Sequence, residues 1–361
     1  MKKKKNQNKM SKNTNFLSLF FTGVMVLIAF FGYSASKTEN KIVVLNENNP
    51  FFTYPLKETP ALSLYPDPIY KPSSILAFAK DTLDKKIFAH LKDLEQSSIL
   101  NPITAEKNKI EIKNENIKNS LLSVLSTDKV LAYNLNSNKN LLSSQEKNIW
   151  PTASLAKLMT AIIAVEKIGF EKEVKITPEA IAIENEAGNF QAGEVFKIRD
   201  LLLSIFLVSS NDAAFAIANE YGQENFIAEM NNKAKELEMS NTHFADPAGL
   251  SIVSVSTGND LLKLVAYTVK ERPELLFLSR QKEAEIKDQR FGNIKKYISI
   301  NKFSTRNDFI GGKTGYTDIA QENLISLFSV KNETILIIIL GSKDRFSDTE
   351  KILDSLSLLN L

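Results

Sequence analysis

Ser154 and Lys157 are spaced so that one side chain could act on the other. They stand three residues apart at the start of an apolar helical pattern, in "WPTASLAKLMTAIIAVEKIGF". Residues three apart on a helix share a face, and a helix N-terminus favours negative charge developing nearby. Two interpretations are open: a serine nucleophile with a lysine base, or a helix cap followed by a solvent-facing lysine. Spacing alone does not decide, because Ser-x-x-Lys also begins at Ser34, Ser126, Ser144, Ser279 and Ser299.

Composition narrows the chemistry that is available. The chain of 361 residues has no cysteine, which excludes disulfides, thiol nucleophiles and thiolate metal sites. Its only histidines are His90 and His243, and His90 lies in a spacer-like segment, so a Ser-His-Asp triad or a histidine metal site would rest on one residue. A neutral lysine is the obvious base. Lowering its pKa from about 10.4 to about 7 to 8 takes roughly 3 to 5 kcal/mol, which burial or a neighbouring positive charge can supply.

Two further motifs follow along the chain. In "LVSSNDAAFAIA", Ser209 and Asn211 interrupt an apolar helix. They either cap the next helix or serve chemistry, with Ser209 relaying a proton and Asn211 holding a substrate amide. In "FIGGKTGYT", Lys313, Thr314 and Gly315 form the chain's one Lys-Thr-Gly. The motif is either a glycine-rich turn with a surface lysine or a place where a cation and a hydroxyl meet a substrate carboxylate.

The ordered trio resembles the serine-type D-alanyl-D-alanine carboxypeptidases, the low-molecular-weight penicillin-binding proteins of peptidase family S11. The surrounding sequences "GEVFKIRDLLLSIFLVSSNDAAFAIA", "MNNKAKELEMSNTHFADPAGL" and "GGKTGYTDIA" are similar to this family as well, and the resemblance runs from about Val130 to the C-terminus. It implies a β-lactamase/penicillin-binding-protein-like α/β fold, in which helices flank an antiparallel sheet formed by N- and C-terminal segments.

The resemblance also implies a role for each motif residue. By this resemblance, Ser154 is the acylated nucleophile and Lys157 its general base. Ser209 and Asn211 form a second catalytic edge. The expected substrate-binding groups lie on the Lys-Thr-Gly strand and after the last strand, and are Lys313, Thr314, Gly315, Tyr316 and Arg345. The backbone amides of Ser154 and Tyr316 would form the oxyanion hole. His243 would serve packing and hydrogen bonding, and Gln321 stands where the family usually has glycine.

The implied activity is removal of the terminal D-alanine from peptidoglycan stem peptides through a Ser154 acyl-enzyme. β-Lactams would be covalent inhibitors, and no metal, cofactor or nucleic acid is expected. A peptidoglycan DD-endopeptidase would use the same site, and a membrane-tethered wall-binding protein with a degenerate site is a third possibility. A class A β-lactamase is disfavoured, because no Glu-x-x-Leu-Asn follows Asn211.

The periodicity predicts the elements that must position these residues. "KVLAYNLNSNKNLLSS" reads as two strands joined by a turn at Asn136 to Lys139, and "NLISLFSV" and "ETILIIILGS" read as strands before a terminal helix, "SDTEKILDSLSLL". Strands at both ends enclosing a helical middle favour one α/β domain whose sheet joins the two ends. The helices of the middle are expected at 154–168, 199–208, 212–221 and 224–238.

The N-terminal third of the sequence predicts that the protein is exported and attached to the cell membrane. Residues 1–36 combine a lysine cluster with an uncharged apolar run, Phe16 to Tyr33, which indicates a cytoplasmic tail and a membrane anchor, or a cleaved signal peptide. Residues 37–118 are expected to form a proline-rich stalk with one amphipathic helix, and residues 119–361 the catalytic domain. That domain would lie outside the cell membrane, or be secreted if the segment is cleaved.

Overall fold

The computed structural model describes residues 114–183 and 187–358, which all fall within one compact unit. The basic tail, the apolar run and the stalk helix predicted from the sequence lie outside the described residues, and the proposed division of the chain stays a prediction. Over the ranges just given, every helix is too short or too polar to cross a membrane.

Five antiparallel strands form the main sheet, in the spatial order β2-β1-β11-β10-β9. Their bounds are Lys129–Asn134 (β1), Lys139–Ser144 (β2), Phe309–Thr317 (β9), Gln321–Val330 (β10) and Glu333–Ser342 (β11). The N-terminal hairpin joins the C-terminal strands through β1 and β11, from Lys129 opposite Leu340 to Asn134 opposite Ile335. This confirms the expected sheet built from the two ends of the domain.

Three short antiparallel pairs complete the strands that the structure describes, β3 with β6, β4 with β5, and β7 with β8. Their bounds are Trp150–Pro151 (β3), Glu173–Lys175 (β4), Val195–Lys197 (β5), Val255–Ser256 (β6), Glu283–Lys287 (β7) and Ile294–Ile298 (β8). The pair β3–β6 matters for function, because β3 leads directly into the turn that carries Ser154.

The helices that were predicted for the middle of the chain are confirmed within a few residues. The described α-helices are 114–124 (α1), Ala156–Ile163 (α2), Pro178–Ile181 (α3), Ile198–Leu207 (α4), Asn211–Tyr221 (α5), Gln223–Glu236 (α6), Gly258–Glu271 (α7), Pro273–Ser279 (α8) and Arg345–Leu358 (α9). The first predicted helix is built of three parts: a 3₁₀ turn at Ala153–Leu155, then α2, then a π-helical turn at Ala164–Ile168. A further 3₁₀ turn spans Lys302–Thr305.

The apolar strand β11 explains how the core is divided. Successive side chains of a strand point to opposite faces, so a strand that is buried on both faces is apolar throughout. Leu336, Ile338 and Leu340 pack on one face, against the cluster that contains α2, α4 and α5. Ile335, Ile337 and Ile339 pack on the other, against the cluster that contains Phe303, Phe328 and Phe346. The site described below lies on the α2 and α5 side.

Helix α1 belongs to the second of these clusters. Leu121 is 5% exposed in that core, and Ile117, Leu122 and Leu125 pack beside it. The predicted domain start near Asn119 therefore falls inside a packed helix. Ile117 and Leu121 of this helix, and Leu125 just after it, are four residues apart and form the apolar stripe that packs into the core.

Candidate active site

Ser154 lies in a tight 3₁₀ turn between β3 and α2. The preceding residue, Ala153, has a left-handed backbone, with φ of 46°. Gly249 makes this turn possible, because a Cβ atom at Gly249 would stand only 1.9 Å from the carbonyl oxygen of Ala153. The Thr152 amide donates to the Ser254 carbonyl over 2.9 Å. The serine is thus presented by a strained turn that the surrounding chain fixes on both sides.

The Lys157 amine lies within hydrogen-bond distance of the serine hydroxyl. Its Nζ is 2.6 Å from Ser154 Oγ, 2.7 Å from Asn211 Oδ1 and 3.1 Å from the carbonyl oxygen of Ala248. The side chain is completely buried. The structure therefore excludes the interpretation of Lys157 as a solvent-facing residue, and it places Asn211 with the same amine.

Burial gives this amine the proton affinity that a base needs. Loss of hydration lowers the pKa of Lys157 to about 7, while the negative charges of Asp246 and Asp212 act in the opposite direction. Of the two causes that the sequence suggested, burial is the one that lowers the pKa of Lys157. A lysine with a pKa near 7 is substantially neutral at physiological pH, and its nitrogen lone pair can then accept the Ser154 hydroxyl proton.

The connection between α4 and α5 carries the second motif. Ser210, rather than either predicted residue, caps α5, since its hydroxyl accepts a hydrogen bond from the Ala213 amide over 3.1 Å. Ser209 has a left-handed backbone with φ of 60°, and its Oγ lies 2.9 Å from Lys313 Nζ. Ser210 therefore caps the helix, while its two neighbours contact the buried lysines: Ser209 contacts Lys313, and Asn211 contacts Lys157.

Strand β9, at the edge of the main sheet, brings the third motif beside the serine turn. Lys313 and Thr314 are buried, at 1% and 3% exposure, so the interpretation of this lysine as a surface residue is excluded. Burial, together with the positive charges of Lys157 and Arg345, lowers the pKa of Lys313 well below its usual range. A Cβ atom at Gly315 would stand 3.2 Å from the Ser154 amide nitrogen, so glycine permits this close approach.

Two predicted residues lie at the open end of β9. The Tyr316 ring is 55% exposed, and its hydroxyl donates to Asp318 Oδ1 over 2.9 Å. Arg345 begins α9, and its Nη1 donates to the Gly315 carbonyl over 2.7 Å. Its backbone amide donates to Glu322 Oε2 over 2.9 Å. The structure therefore brings Arg345 to the Lys-Thr-Gly strand.

Several positioning groups were not singled out from the sequence. The buried Asn323 amide donates to the carbonyls of Pro151 and Thr152 over 2.9 and 3.1 Å, and its Oδ1 accepts from the Gly341 amide. The Ala248 carbonyl, which contacts Lys157, belongs to "NTHFADPAGL", a segment from which the sequence predicted no site residue. His243 is exposed, and its backbone amide and carbonyl exchange hydrogen bonds with those of Val255, so the hydrogen bonding expected of this residue comes from its backbone.

Together these groups form a half-buried nucleophile and a buried base, with a cationic and hydroxylic edge next to them. Within 114–183 and 187–358, no group of three or more histidine, aspartate or glutamate side chains is placed to hold a metal ion. The arrangement can perform acyl transfer, in which Ser154 attacks a carbonyl, Lys157 takes its proton and the β9 side receives an anionic group of the substrate.

Comparison with known sequences points to the same chemistry. The family model described as D-alanyl-D-alanine carboxypeptidase matches residues 115–344. A D-alanyl-D-alanine endopeptidase of Escherichia coli is 28% identical over 240 residues, which is 63% of this chain and 76% of that protein. The D-alanyl-D-alanine carboxypeptidase DacF of Bacillus subtilis is 29% identical over 250 residues, which is 66% of this chain and 61% of that protein.

Solved structures share the fold. A mutant of the Streptomyces K15 DD-transpeptidase superposes with a TM-score of 0.61 at 25% identity, covering 65% of this chain and 99% of its own. Penicillin-binding protein D2 of Listeria monocytogenes, in its ampicillin-bound form, superposes with a TM-score of 0.56 at 26% identity, covering 64% and 97%. The expected penicillin-binding-protein-like fold is thus confirmed. The chain is a serine-type hydrolase that belongs to peptidase family S11, the D-alanyl-D-alanine carboxypeptidases.

Proposed function

We propose that this enzyme removes the terminal D-alanine from peptidoglycan stem peptides, with Ser154 as nucleophile and Lys157 as general base. The observation that carries this proposal is the fully buried Lys157 Nζ, 2.6 Å from Ser154 Oγ and with a pKa of about 7. Neither a helix cap nor a surface lysine requires that geometry. The substrate class comes from the family to which the chain belongs.

Acylation begins with proton transfer from Ser154 Oγ to the neutral Lys157 amine. The oxygen bonds to the carbonyl carbon of the penultimate D-alanine, and the developing oxyanion is placed at the amides of Ser154 and Tyr316. When the C–N bond breaks, the departing D-alanine nitrogen takes the proton that Lys157 accepted, relayed through Ser209, which lies next to Lys313. This transfer returns Lys157 to its neutral form. Asn211 stays hydrogen-bonded to the Lys157 amine and holds it in place.

The terminal carboxylate of the substrate is assigned to the β9 side of the site. Lys313, Thr314 and Arg345 supply a cation, a hydroxyl and a second cation there. Burial lowers the pKa of Lys313 and so disfavours its ammonium form. A substrate carboxylate beside the amine favours the ammonium form, so binding of the substrate offsets the loss of hydration. Deacylation then uses Lys157 to activate water, by reversal of the proton-transfer steps.

β-Lactams are proposed to acylate the same serine. Attack on the ring amide opens the ring, and the leaving nitrogen remains attached to the acyl group, so it does not diffuse away. The related Listeria protein was solved in an ampicillin-bound form, which supports this assignment by similarity.

Cleavage of peptidoglycan cross-links is a second candidate activity, because the Escherichia coli relative is a D-alanyl-D-alanine endopeptidase. Both reactions break the bond after a D-alanine. The two activities are distinguished by incubating the purified protein with a pentapeptide and with a cross-linked muropeptide and identifying the products by mass spectrometry. Release of free D-alanine from the pentapeptide is expected, and the Ser154→Ala protein is the control. Cleavage of the muropeptide alone would replace the carboxypeptidase assignment with the endopeptidase one.

We also propose that the apolar run at 16–33 holds the enzyme in the cell membrane, with the catalytic domain outside. The support is the sequence: lysines before an uncharged run favour a cytoplasmic N-terminus. Protease added to intact spheroplasts should degrade the catalytic domain. A catalytic domain that is fully protected until the membrane is lysed would contradict this orientation.

A further inference from the structure

Asp246 lies inside a tight turn beside the catalytic pair. Its side chain is buried, at 9% exposure. The carboxylate accepts hydrogen bonds, 2.6 to 3.2 Å long, from four successive backbone amides and one hydroxyl: those of Ala248, Gly249, Leu250, Ser251 and the Ser254 side chain. One carboxylate therefore determines the path of residues 246–251. Charge-assisted hydrogen bonds of this kind are stronger than neutral ones.

This turn contacts both members of the catalytic pair. The Ala248 carbonyl accepts a hydrogen bond from Lys157 Nζ, and Gly249 packs against the carbonyl of Ala153, next to the nucleophile. Thr160, one helical turn after Lys157, donates from Oγ1 to the Pro247 carbonyl over 2.6 Å. A displacement of the turn would therefore move both the Lys157 amine and the Ser154 backbone.

We propose that Asp246 is a positioning residue for Lys157: its carboxylate folds the turn that directs the Ala248 carbonyl at Nζ, and its charge stabilises the ammonium formed when Lys157 takes the Ser154 proton. The inference rests on the proposed role of Lys157 as the base. Asp246 does not touch the reacting atoms, and it acts through the Ala248 carbonyl and through its field.

The charges that face Lys157 come from three elements. Asp212 lies on α5, Asp246 in the turn, and Lys313 on β9. Burial lowers the pKa of Lys157 to about 7, and the two carboxylates oppose that effect. Removing the Asp246 charge therefore lowers the pKa of Lys157 further, so the neutral base exists at more acidic pH.

The test measures the acylation rate of the full-length protein with a fluorescent penicillin between pH 5 and pH 9. A base with a pKa of about 7 is about one tenth neutral at pH 6, so the wild type should react there at about one tenth of its plateau rate. Asp246→Asn keeps the shape and one acceptor oxygen but removes the charge. We expect its profile to move to lower pH, so that the fraction of plateau at pH 6 at least doubles.

Asp260→Asn is the matched control. Asp260 is also a buried carboxylate, at 2% exposure, and it accepts from the Asn241 amide over 2.8 Å and from Thr242 Oγ1 over 3.0 Å. It also pairs with Lys263 over 3.4 Å, and it is not among the charges that act on Lys157. This variant should lose stability but keep the wild-type profile midpoint, which separates loss of a buried carboxylate from loss of the charge near the base.

A folded Asp246→Asn protein with the wild-type midpoint and plateau would overturn the inference. If that variant does not fold, Thr160→Val tests the turn without altering a charge. Its plateau should fall severalfold while its midpoint stays, and an unchanged plateau would show that the turn does not position the base. A wild-type protein that penicillin does not acylate at Ser154 would instead refute the proposed function.

Discussion

The Lys157 nitrogen meets three hydrogen-bond partners and no solvent. Protonated, it has a donor for each of the three. Neutral, it keeps two donors for Asn211 and Ala248 and turns its lone pair to Ser154. The same set of contacts therefore suits both protonation states, so the base can gain and lose a proton without rearrangement of its surroundings.

At the residue scale, acylation should depend on pH through this amine. The pKa of Lys157 is about 7 in the folded protein, so the reactive neutral form grows as the pH rises through 7 and is complete about one to two pH units above it. The measurement is the rate of penicillin acylation from pH 5 to pH 9. A rate that is already maximal at pH 5, or that rises only above pH 10, would contradict a buried lysine base.

At the element scale, three segments that are distant in the chain converge: the turn before α2, the α4–α5 connection and β9. The sequence predicted the helices and strands because their apolar periods are local, and it predicted the trio because the motif residues recur in a known order. It did not predict the groups outside the motifs that hold the serine turn and the lysine in place. The Ala248 carbonyl and the Asn323 amide contact the site only through long-range packing, and neither has a local signature.

Gln321 stands where the family usually has glycine, and its backbone conformation explains that preference. The sequence flagged it because the family usually has glycine at this position. In the structure its φ is 53°, in the left-handed region that glycine adopts without cost. The substitution therefore affects the β9–β10 turn rather than a catalytic group.

Asn323→Ala should weaken both stability and catalysis. The buried amide joins β10 to the carbonyls of Pro151 and Thr152, just before the nucleophile. Its loss removes these hydrogen bonds and the one that its Oδ1 accepts from the Gly341 amide, although Thr152 keeps a bond from the Leu155 amide. We expect the free energy of unfolding to fall by about 2 kcal/mol. Denaturant unfolding and penicillin acylation measure the two effects.

Asn136→Ala is the control for Asn323→Ala, because it removes only an exposed hydrogen bond to the Thr334 amide. It should cost about 0.5 kcal/mol and leave acylation unchanged. Equal losses in the two variants would mean that Asn323 does not support the serine turn specifically.

At the scale of the whole molecule, the first and the last described helices pack in the same core cluster, on one face of the main sheet. Leu121 of α1 and Leu356 of α9 belong to one core cluster. Just after α1, the Ser126 hydroxyl donates to Asp348 Oδ2 over 2.6 Å, and Asp348 is fully buried. The folded unit therefore includes α1.

A truncated chain that begins at Asn114 should fold and bind penicillin like the full-length protein. A chain that begins at Ser126 lacks α1 and exposes the surface that Leu121 covers, so its unfolding free energy should be lower by at least about 2 kcal/mol. Thermal unfolding of the two proteins makes the comparison. Equal stability would show that α1 is not part of the folded core.

The central claim is that Ser154 and Lys157 act as one catalytic unit, and Lys157→Arg tests it most directly. Arginine keeps a cation and much of the bulk, but its guanidinium stays protonated and cannot accept the serine proton. Mass spectrometry of the intact protein after exposure to penicillin should show the Ser154 adduct in the wild type, none in Ser154→Ala and none in folded Lys157→Arg. Lys313→Arg, which keeps a cation on the carboxylate side, should retain part of the acylation. Acylation of folded Lys157→Arg at the wild-type rate would contradict the claim.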